Sequence, residues 1–252
     1  MVASEIKANA RKALAGKWGK AAILTLVYSI IVFVINFVCR LIPIVGGIIL
    51  FVISTPISYG LLVSFMKLKR DEDVNYTDFL NFGFSSFSKV WGVFGNIVLK
   101  MILPICLIVI FIILLVVSLG GSIASAIITE SSSGVAGFGF LAFISIIGYI
   151  ASLIYVIVKG FLYSLSYYIL NDNPNMNGKE IVGMSENLMK GNRWKFFWLG
   201  LTFIGWAILA GFTFGIGMLW LMPYIMVSMV CFYEDLSGKT ETVEVNKNVT
   251  EE

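Results

Sequence analysis

The fold is decided by residues 188–236, whose sequence is LMKGNRWKFFWLGLTFIGWAILAGFTFGIGMLWLMPYIMVSMVCFYEDL. A basic, tryptophan-bearing segment leads into a first apolar run. A corner containing Gly215 and Gly217 separates that run from a second one, which ends in the acidic pair Glu234 and Asp235. Each run is close to the roughly 20 residues that a helix needs to cross the hydrocarbon core of a bilayer. We interpret the stretch as a helical hairpin that enters a bilayer and returns to the side on which it began.

The composition extends this interpretation to the whole chain. Of its 252 residues, 58% are hydrophobic and 13% are charged, whereas soluble domains carry about 45–50% apolar and about 25% charged residues. A single soluble core of this size cannot bury so much apolar surface, so the bilayer must solvate much of it. The 20 Phe, 10 Tyr and 6 Trp residues fit aromatic belts at two membrane interfaces.

Hydropathy and length together predict an all-α, polytopic membrane protein with six transmembrane helices in three hairpins, each preceded by a short interfacial helix on the cytoplasmic side. The predicted spans lie at about residues 21–39, 41–66, 101–119, 140–158, 196–214 and 217–233. The predicted interfacial helices lie within residues 1–20, 78–95 and 177–191, and the last begins with a capping-box pattern. We expect a single transmembrane domain over 1–236, a flexible Ser/Gly loop over 120–139, and a polar, disordered tail over 237–252.

The distribution of positive charge predicts the orientation of these spans. Six spans place both termini on one side of the membrane. If that side is the cytoplasm, every Lys and Arg except Arg40 is cytoplasmic or interfacial. This asymmetry follows the positive-inside rule, and we therefore expect both termini in the cytoplasm.

The three hairpins resemble one another in sequence. Each opens with an acidic residue that precedes an apolar one, and a tryptophan follows at a similar distance, at Trp18, Trp91 and Trp194. The first and third copies match best, and their second spans share a mid-span proline. The pattern predicts a threefold duplication in parallel orientation. The alternative is that the start of any basic, tryptophan-bearing span looks alike.

Several stretches resemble a known family. They are KALAGKWGKAAILTLVY near the N-terminus, YILNDNPNMNGKEIVGMSENLMKGN in the centre, and GNRWKFFWLGLTFIGW, GIGMLWLMPY and FYEDL near the C-terminus. The family is the bacterial integral membrane protein family catalogued as domain of unknown function nine-seven-five. The resemblance covers nearly the whole chain. It implies a protein of the bacterial inner membrane with about six helices and no established activity, and it supplies no catalytic residues.

Side chains with catalytic chemistry are scarce. The chain has no His, which is the commonest general base and metal ligand. Its acidic residues are expected in loops, termini or interfaces, whereas mid-span carboxylates would indicate proton coupling. Cys39, Cys106 and Cys231 are far apart in sequence and are expected to be small hydrophobic residues. The sequence therefore predicts a protein that is not an enzyme, with no catalytic residue, cofactor or metal site.

Polar and aromatic residues at membrane depth form a first candidate site. Two prolines interrupt two spans, each with a tyrosine close by, and a broken helix exposes backbone groups that protein, water or ligand must satisfy. We predict a small cavity for a lipid tail or a small amphiphile, lined by Asn36, Pro56, Tyr59, Pro223 and Tyr224. The alternative is that both prolines are packing kinks.

A basic and aromatic rim on the cytoplasmic side forms a second candidate site. A basic residue near an anionic leaflet contributes about 1 kcal/mol of binding, so the rim would bind anionic lipid or the acidic surface of a partner. Its members are Lys17, Trp18, Lys20, Lys89, Trp91, Arg193, Trp194 and Lys195. The alternative is that these residues only fix the depth and orientation of the spans.

Two classes of function are consistent with these features. The first is a non-enzymatic scaffold, partner-binding protein or lipid-interacting factor of the cell envelope. Its partners would be the lipid bilayer and either anionic lipid or another membrane protein, and we expect no binding to nucleic acid. The alternative is a transporter or permeation pathway for a small neutral or amphiphilic solute, which needs polar residues from several spans to converge on one cavity. The sequence leaves the oligomeric state open.

Overall fold

The computed structural model describes residues 2–42, 44–127 and 132–238, with residue 132 described by its backbone alone. Ten helices follow one another in these ranges: α1 (Ala3–Leu14), α2 (Trp18–Arg40), α3 (Val45–Lys69), α4 (Asp78–Ser85), α5 (Phe87–Ile127), α6 (Ser132–Tyr163), α7 (Ser166–Asp172), α8 (Gly178–Met189), α9 (Arg193–Phe212) and α10 (Met218–Leu236). The described residues divide into two compact units. Unit 2 is Gly95–Tyr163, and unit 1 is the chain on either side of it.

Among the described residues, six helical runs are long and apolar enough to cross a membrane: Trp18–Arg40, Val45–Lys69, Phe87–Ile127, Ser133–Asp172, Arg193–Phe212 and Met218–Leu236. The predicted all-helical architecture with six spans is therefore confirmed, and it indicates a multi-pass membrane protein. The short helices expected ahead of the three hairpins are present as α1, α4 and α8. At the start of α8, the Asn177 backbone N–H donates to the Glu180 carboxylate at 3.2 Å, as the capping pattern predicts. The predicted tail, apart from its first two residues, lies outside the described residues.

The predicted loop over 120–139 is wrong for the residues described there, because α5 continues to Ile127 and α6 begins at Ser132. The small residues in this stretch permit close helix contact. A Cβ added at Gly121 would lie 2.6 Å from the ring of Phe138. The Ser122 hydroxyl donates to a carbonyl one turn earlier at 2.9 Å, so it is satisfied within its own helix. In a membrane protein, such Gly and Ser residues favour helix packing as readily as they favour a loop.

In unit 1, α4 packs antiparallel against the C-terminal half of α3, and two glycines set the distance between the helices. A Cβ added at Gly60 of α3 would lie 2.7 Å from the carbonyl carbon of Phe79 and 2.9 Å from the backbone nitrogen of Gly83. A Cβ added at Gly83 would in turn lie 2.8 Å from the carbonyl carbon of Pro56. Backbone touches backbone at both points, and only glycine permits this approach.

The proline in α3 leaves one carbonyl without its helical donor, and the protein supplies another donor. Pro56 has no N–H, so the carbonyl of Val52 four residues earlier receives no intrahelical bond. The indole Nε1–H of Trp91 donates to that carbonyl at 3.3 Å. The rings of Phe51 and Phe94 lie 5.3 and 5.0 Å from the Trp91 ring and hold it there. At this proline, a side chain of the protein itself satisfies the exposed backbone carbonyl.

Candidate functional site

A groove of about 490 Å³ lies in unit 1 where α1, α9 and α10 meet, and this volume is typical of ligand-binding pockets. We call it the α1–α9–α10 groove. Its basic side chains are Lys7 and Arg11 of α1. Its aromatic side chains are Trp18, Trp206, Trp220 and Tyr224, and the remaining lining is aliphatic or small, including Leu209. The groove is therefore amphipathic, with two cations and otherwise largely apolar walls.

The seating of α1 explains the placement of the two cations. Ile6, Ala10 and Leu14 recur every four residues and are each at most 1% exposed, so they form the face of α1 that is buried in unit 1. Lys7 and Arg11 each follow a buried residue by one position and thus project from the flank of that face. At the start of α1, the Glu5 carboxylate accepts a hydrogen bond from the Val2 backbone N–H at 2.8 Å, which caps the helix.

Tyr224 joins α1 to the aromatic wall of the groove. Its hydroxyl donates to the carbonyl of Lys7 at 3.5 Å. Its ring lies 6.2 Å from Trp18 and 5.3 Å from Phe203 of α9, the latter in edge-to-face geometry. The Lys7 ammonium lies 5.9 Å from the centroid of the Phe203 ring, within the range of a cation–π contact. The cationic and aromatic parts of the groove are therefore in direct contact.

The two cations of the groove differ from five described basic residues of unit 1 that pair with carboxylates. Among the residues that the structure describes, neither Lys7 nor Arg11 forms an ion pair with a carboxylate. Basic side chains that do form such pairs are Lys17, Lys20, Lys67, Lys69 and Arg70. The groove therefore keeps positive charge that the described part of the protein does not neutralise.

A second cluster of charged residues lies where α3, α7 and α10 end. Arg70 donates to both carboxylate oxygens of Asp172, at 2.8 and 3.1 Å, and through Nε to Glu234 at 3.1 Å. Lys69 also binds Glu234, and the Tyr233 hydroxyl donates to Asp172 at 2.9 Å. The two carboxylates are only 5% and 7% exposed. This ionic cluster joins three helices by charge-assisted bonds.

The carboxylates of the ionic cluster also act on Arg70 itself. The hydrogen bonds to Asp172 are the main cause that raises the pKa of the Arg70 guanidinium above its usual value, although burial opposes this shift. Arg70 therefore stays charged throughout the pH range in which proteins are folded.

The structure does not bring the five predicted cavity residues together. Tyr224 lines the α1–α9–α10 groove. Asn36 lines a separate crevice of about 50 Å³ between α2 and α3, and its amide donates to the carbonyl of Val32. Pro56 and Pro223 are buried inside their helices, and the buried ring of Tyr59 packs against Tyr167 at 6.0 Å. The two prolines thus lie in the packed interior.

The predicted rim is divided in a similar way. Lys17 pairs with Asp71, and Lys20 pairs with Asp73. Trp18 lines the groove, and Trp91 donates its hydrogen bond to a backbone carbonyl of α3. Arg193 is half-buried, whereas exposed positions are held by Lys89, Trp194 and Lys195. As a group, the rim residues therefore fill several different roles.

Sequence reasoning missed Lys7 and Arg11, although one signal pointed to them. They are four residues apart on a helix whose apolar face was recognised, and an i, i+4 pair of cations lies on one side of a helix. It also missed the ionic cluster, because the sequence does not show which loop carboxylate meets which span-end cation. In the described part of the chain, no three or more His, Cys, Asp or Glu residues are grouped so that they could hold a metal ion.

Comparison with known proteins places the chain in a family without supplying a function. No curated protein and no solved structure matches the chain. A family model described as "Protein of unknown function (DUF975)" matches residues 1–240, which include every helix described above. The chain therefore belongs to the DUF975 family.

Proposed function

We propose that this protein is a non-enzymatic, lipid-interacting protein of the bacterial inner membrane, which binds a lipid or another amphiphile in the α1–α9–α10 groove. The groove itself carries the proposal. It combines apolar and aromatic walls with a basic end, and an amphiphile has the same division into apolar and polar parts. Leu209, Trp206 and Trp220 are each half or more exposed, so they offer apolar surface to a ligand.

A matched pair of variants tests the groove. Leu209 and Ile208 are neighbours on α9 with 59% and 58% exposure, but only Leu209 lines the groove. Native mass spectrometry of protein released from its own membranes should detect a lipid-mass adduct on the wild type and on Ile208→Trp. The Leu209→Trp variant should carry less of the adduct, because the larger side chain takes up space in the groove. An adduct retained equally by Leu209→Trp would refute the proposal.

The orientation in the membrane is part of the same proposal. The basic residues Lys17, Lys20, Lys67 and Lys69 lie at the ends of α2 and α3 opposite to Arg40, which supports a cytoplasmic location for the first set. In a chain whose three cysteines are replaced, a cysteine at Phe214, which is fully exposed between α9 and α10, should react with an impermeant maleimide in intact cells. A cysteine at Asp73 should react only after the inner membrane is opened. The reverse pattern would invert the topology.

Transport is less well supported. Another cavity, of about 440 Å³, is lined by polar residues that include Asn36 and Arg40, but its lining comes from α2 alone. A permeation pathway needs polar groups from several spans. Solute flux in liposomes that depends on Asn36 would favour transport over the lipid-interacting function.

A further inference from the structure

We infer that the ligand of the α1–α9–α10 groove is a lipid with an anionic, phosphate-bearing headgroup, and that Lys7 and Arg11 bind that headgroup while the aromatic walls hold its chain. This inference rests on the proposed function and narrows it to one class of lipid. It starts from the charge of the groove, whose two cations form no ion pair with any described carboxylate.

The placement of the cations favours a specific site over general attraction to the membrane surface. Both side chains line the groove, and both lie on the same side of α1, one turn apart. The Lys7 ammonium is held beside Phe203, and the backbone of α1 is tied to α10 through Tyr224. Lys7 is therefore held beside the apolar walls, and Arg11 lies one turn further along the same helix, so one molecule can contact both cations and the walls.

The two cations have complementary binding properties. The guanidinium of Arg11 can donate two parallel hydrogen bonds to a phosphate, whereas the ammonium of Lys7 acts as a compact point charge. A zwitterionic headgroup would bring its own cation close to this positive end and lose part of the attraction. The groove should therefore prefer a lipid with net negative charge.

The chain of the lipid provides the second half of the recognition. Trp206, Leu209 and Trp220, from α9 and α10, provide apolar and aromatic walls of the groove. A free phosphate would use only the cations and would leave these walls without a ligand. We therefore assign the site to a lipid and not to a soluble phosphate compound.

The test is a titration of the delipidated full-length protein in detergent, followed by native mass spectrometry, with phosphatidylglycerol, phosphatidylcholine or inorganic phosphate as probes. The wild type should bind phosphatidylglycerol more tightly than phosphatidylcholine. Removing one cation should weaken phosphatidylglycerol binding about fivefold, so K7Q/R11Q should weaken it roughly 25-fold. Phosphatidylcholine binding should stay within about twofold of the wild type.

Two further variants separate charge at the groove from charge in general. Lys12→Gln removes an exposed cation of α1 that does not line the groove, so it should bind like the wild type. Arg11→Lys keeps the positive charge and should lose less affinity than Arg11→Gln. Because Tyr224 bonds to the backbone of Lys7, the Lys7→Gln variant keeps the attachment of α1, and unchanged thermal unfolding would verify this.

The outcomes distinguish this inference from the proposed function. Equal binding of phosphatidylglycerol and phosphatidylcholine would overturn the inference and leave a lipid-binding groove. Wild-type affinity of K7Q/R11Q for phosphatidylglycerol would also overturn it, as would inorganic phosphate that displaces the lipid at equal concentration. No lipid adduct on the wild type would overturn both.

Discussion

Replacing Arg70 by Met should destabilise the protein strongly, because Arg70 holds the ionic cluster together. The substitution removes two hydrogen bonds to Asp172 and one to Glu234, and Asp172 is only 5% exposed. Removing one partner of a buried ion pair costs about 3–5 kcal/mol, since the other charge stays buried. Arg70 is 26% exposed, which places the expected loss near the lower end, at about 3 kcal/mol.

A control for this prediction lies three residues away. Lys67 pairs with Glu72 at 2.9 Å, but these side chains are 33% and 47% exposed, and such surface pairs contribute about 0–1 kcal/mol. Reversible unfolding of Arg70→Met and Lys67→Met in mixed micelles, followed by tryptophan fluorescence, would give both free energies. Equal losses in the two variants would refute the reasoning.

The double variant Arg70→Met/Asp172→Leu tests the physical cause of the loss. If the loss comes from the uncompensated charge of Asp172, removing that charge should recover part of the stability. Glu234 still binds Lys69 in the double variant. A double variant that is less stable than Arg70→Met would show that Asp172 stabilises the fold independently of Arg70.

Three further predictions follow from the helix contacts and the exposed pairs. Gly60→Ala should lower the free energy of unfolding by about 3 kcal/mol or more, because the added methyl meets the backbone of α4. Gly47→Ala on the same helix has open space around its added methyl, so it should cause no loss of stability in the same unfolding assay. Trp91→Phe should cost about 1–3 kcal/mol, because it leaves a backbone carbonyl of α3 without a donor, and wild-type unfolding would contradict this. The hydrogen bond from Lys20 lowers the pKa of Asp73 below its usual value of 3.8. The pair therefore stabilises the fold above that pH, and this stabilisation is lost as the pH falls through the lowered pKa. In an NMR titration, the pKa of Asp73 should be higher in Lys20→Met than in the wild type.

The spans could be predicted from the sequence because they depend on local properties. Length and hydropathy alone decide whether a helix can cross a membrane, and the predicted second span, 41–66, overlaps most of α3 (Val45–Lys69). The prediction over 120–139 failed because Gly and Ser have two opposite uses. In water they favour turns, but beside another apolar helix they permit contact, as Gly121 does with Phe138.

The candidate site was less predictable because it depends on which helices meet. Proline at position 56 correctly indicated a carbonyl that needs a new donor, but nothing in the sequence shows that Trp91, 39 residues away from Val52, supplies it. The sequence predicted Tyr224 as a site residue. Its neighbours Lys7 and Trp18 are more than 200 residues away in sequence, so no local pattern could join them.

The predicted repeat relates two similar helix contacts, one of which lies beside the groove. Tyr28 and Phe203 both lie ten residues after the first residue of their helices, α2 and α9. Tyr28 packs edge-on against Phe79 of α4 at 5.6 Å, and it lines both the crevice of about 50 Å³ and the cavity of about 440 Å³. Phe203 instead lies beside the Lys7 ammonium, next to the groove of about 490 Å³. In the first hairpin the contact is therefore between two aromatic rings, whereas in the third hairpin a cation accompanies the aromatic ring.

This difference leads to a last prediction, in which Lys7 is replaced by Leu. Leucine is chosen because Leu80 of α4 holds the position that corresponds to Lys7 of α1. Leu80 directly follows the buried Phe79, and Lys7 directly follows the buried Ile6. If the cation is kept for ligand binding, Lys7→Leu should unfold at the same temperature as the wild type or higher, and it should lose its preference for phosphatidylglycerol. Lys12→Leu, outside the groove, should keep that preference. A clear loss of stability in Lys7→Leu alone would instead assign Lys7 to the packing of α1, since a residue that is kept only for binding contributes little to the stability of the fold.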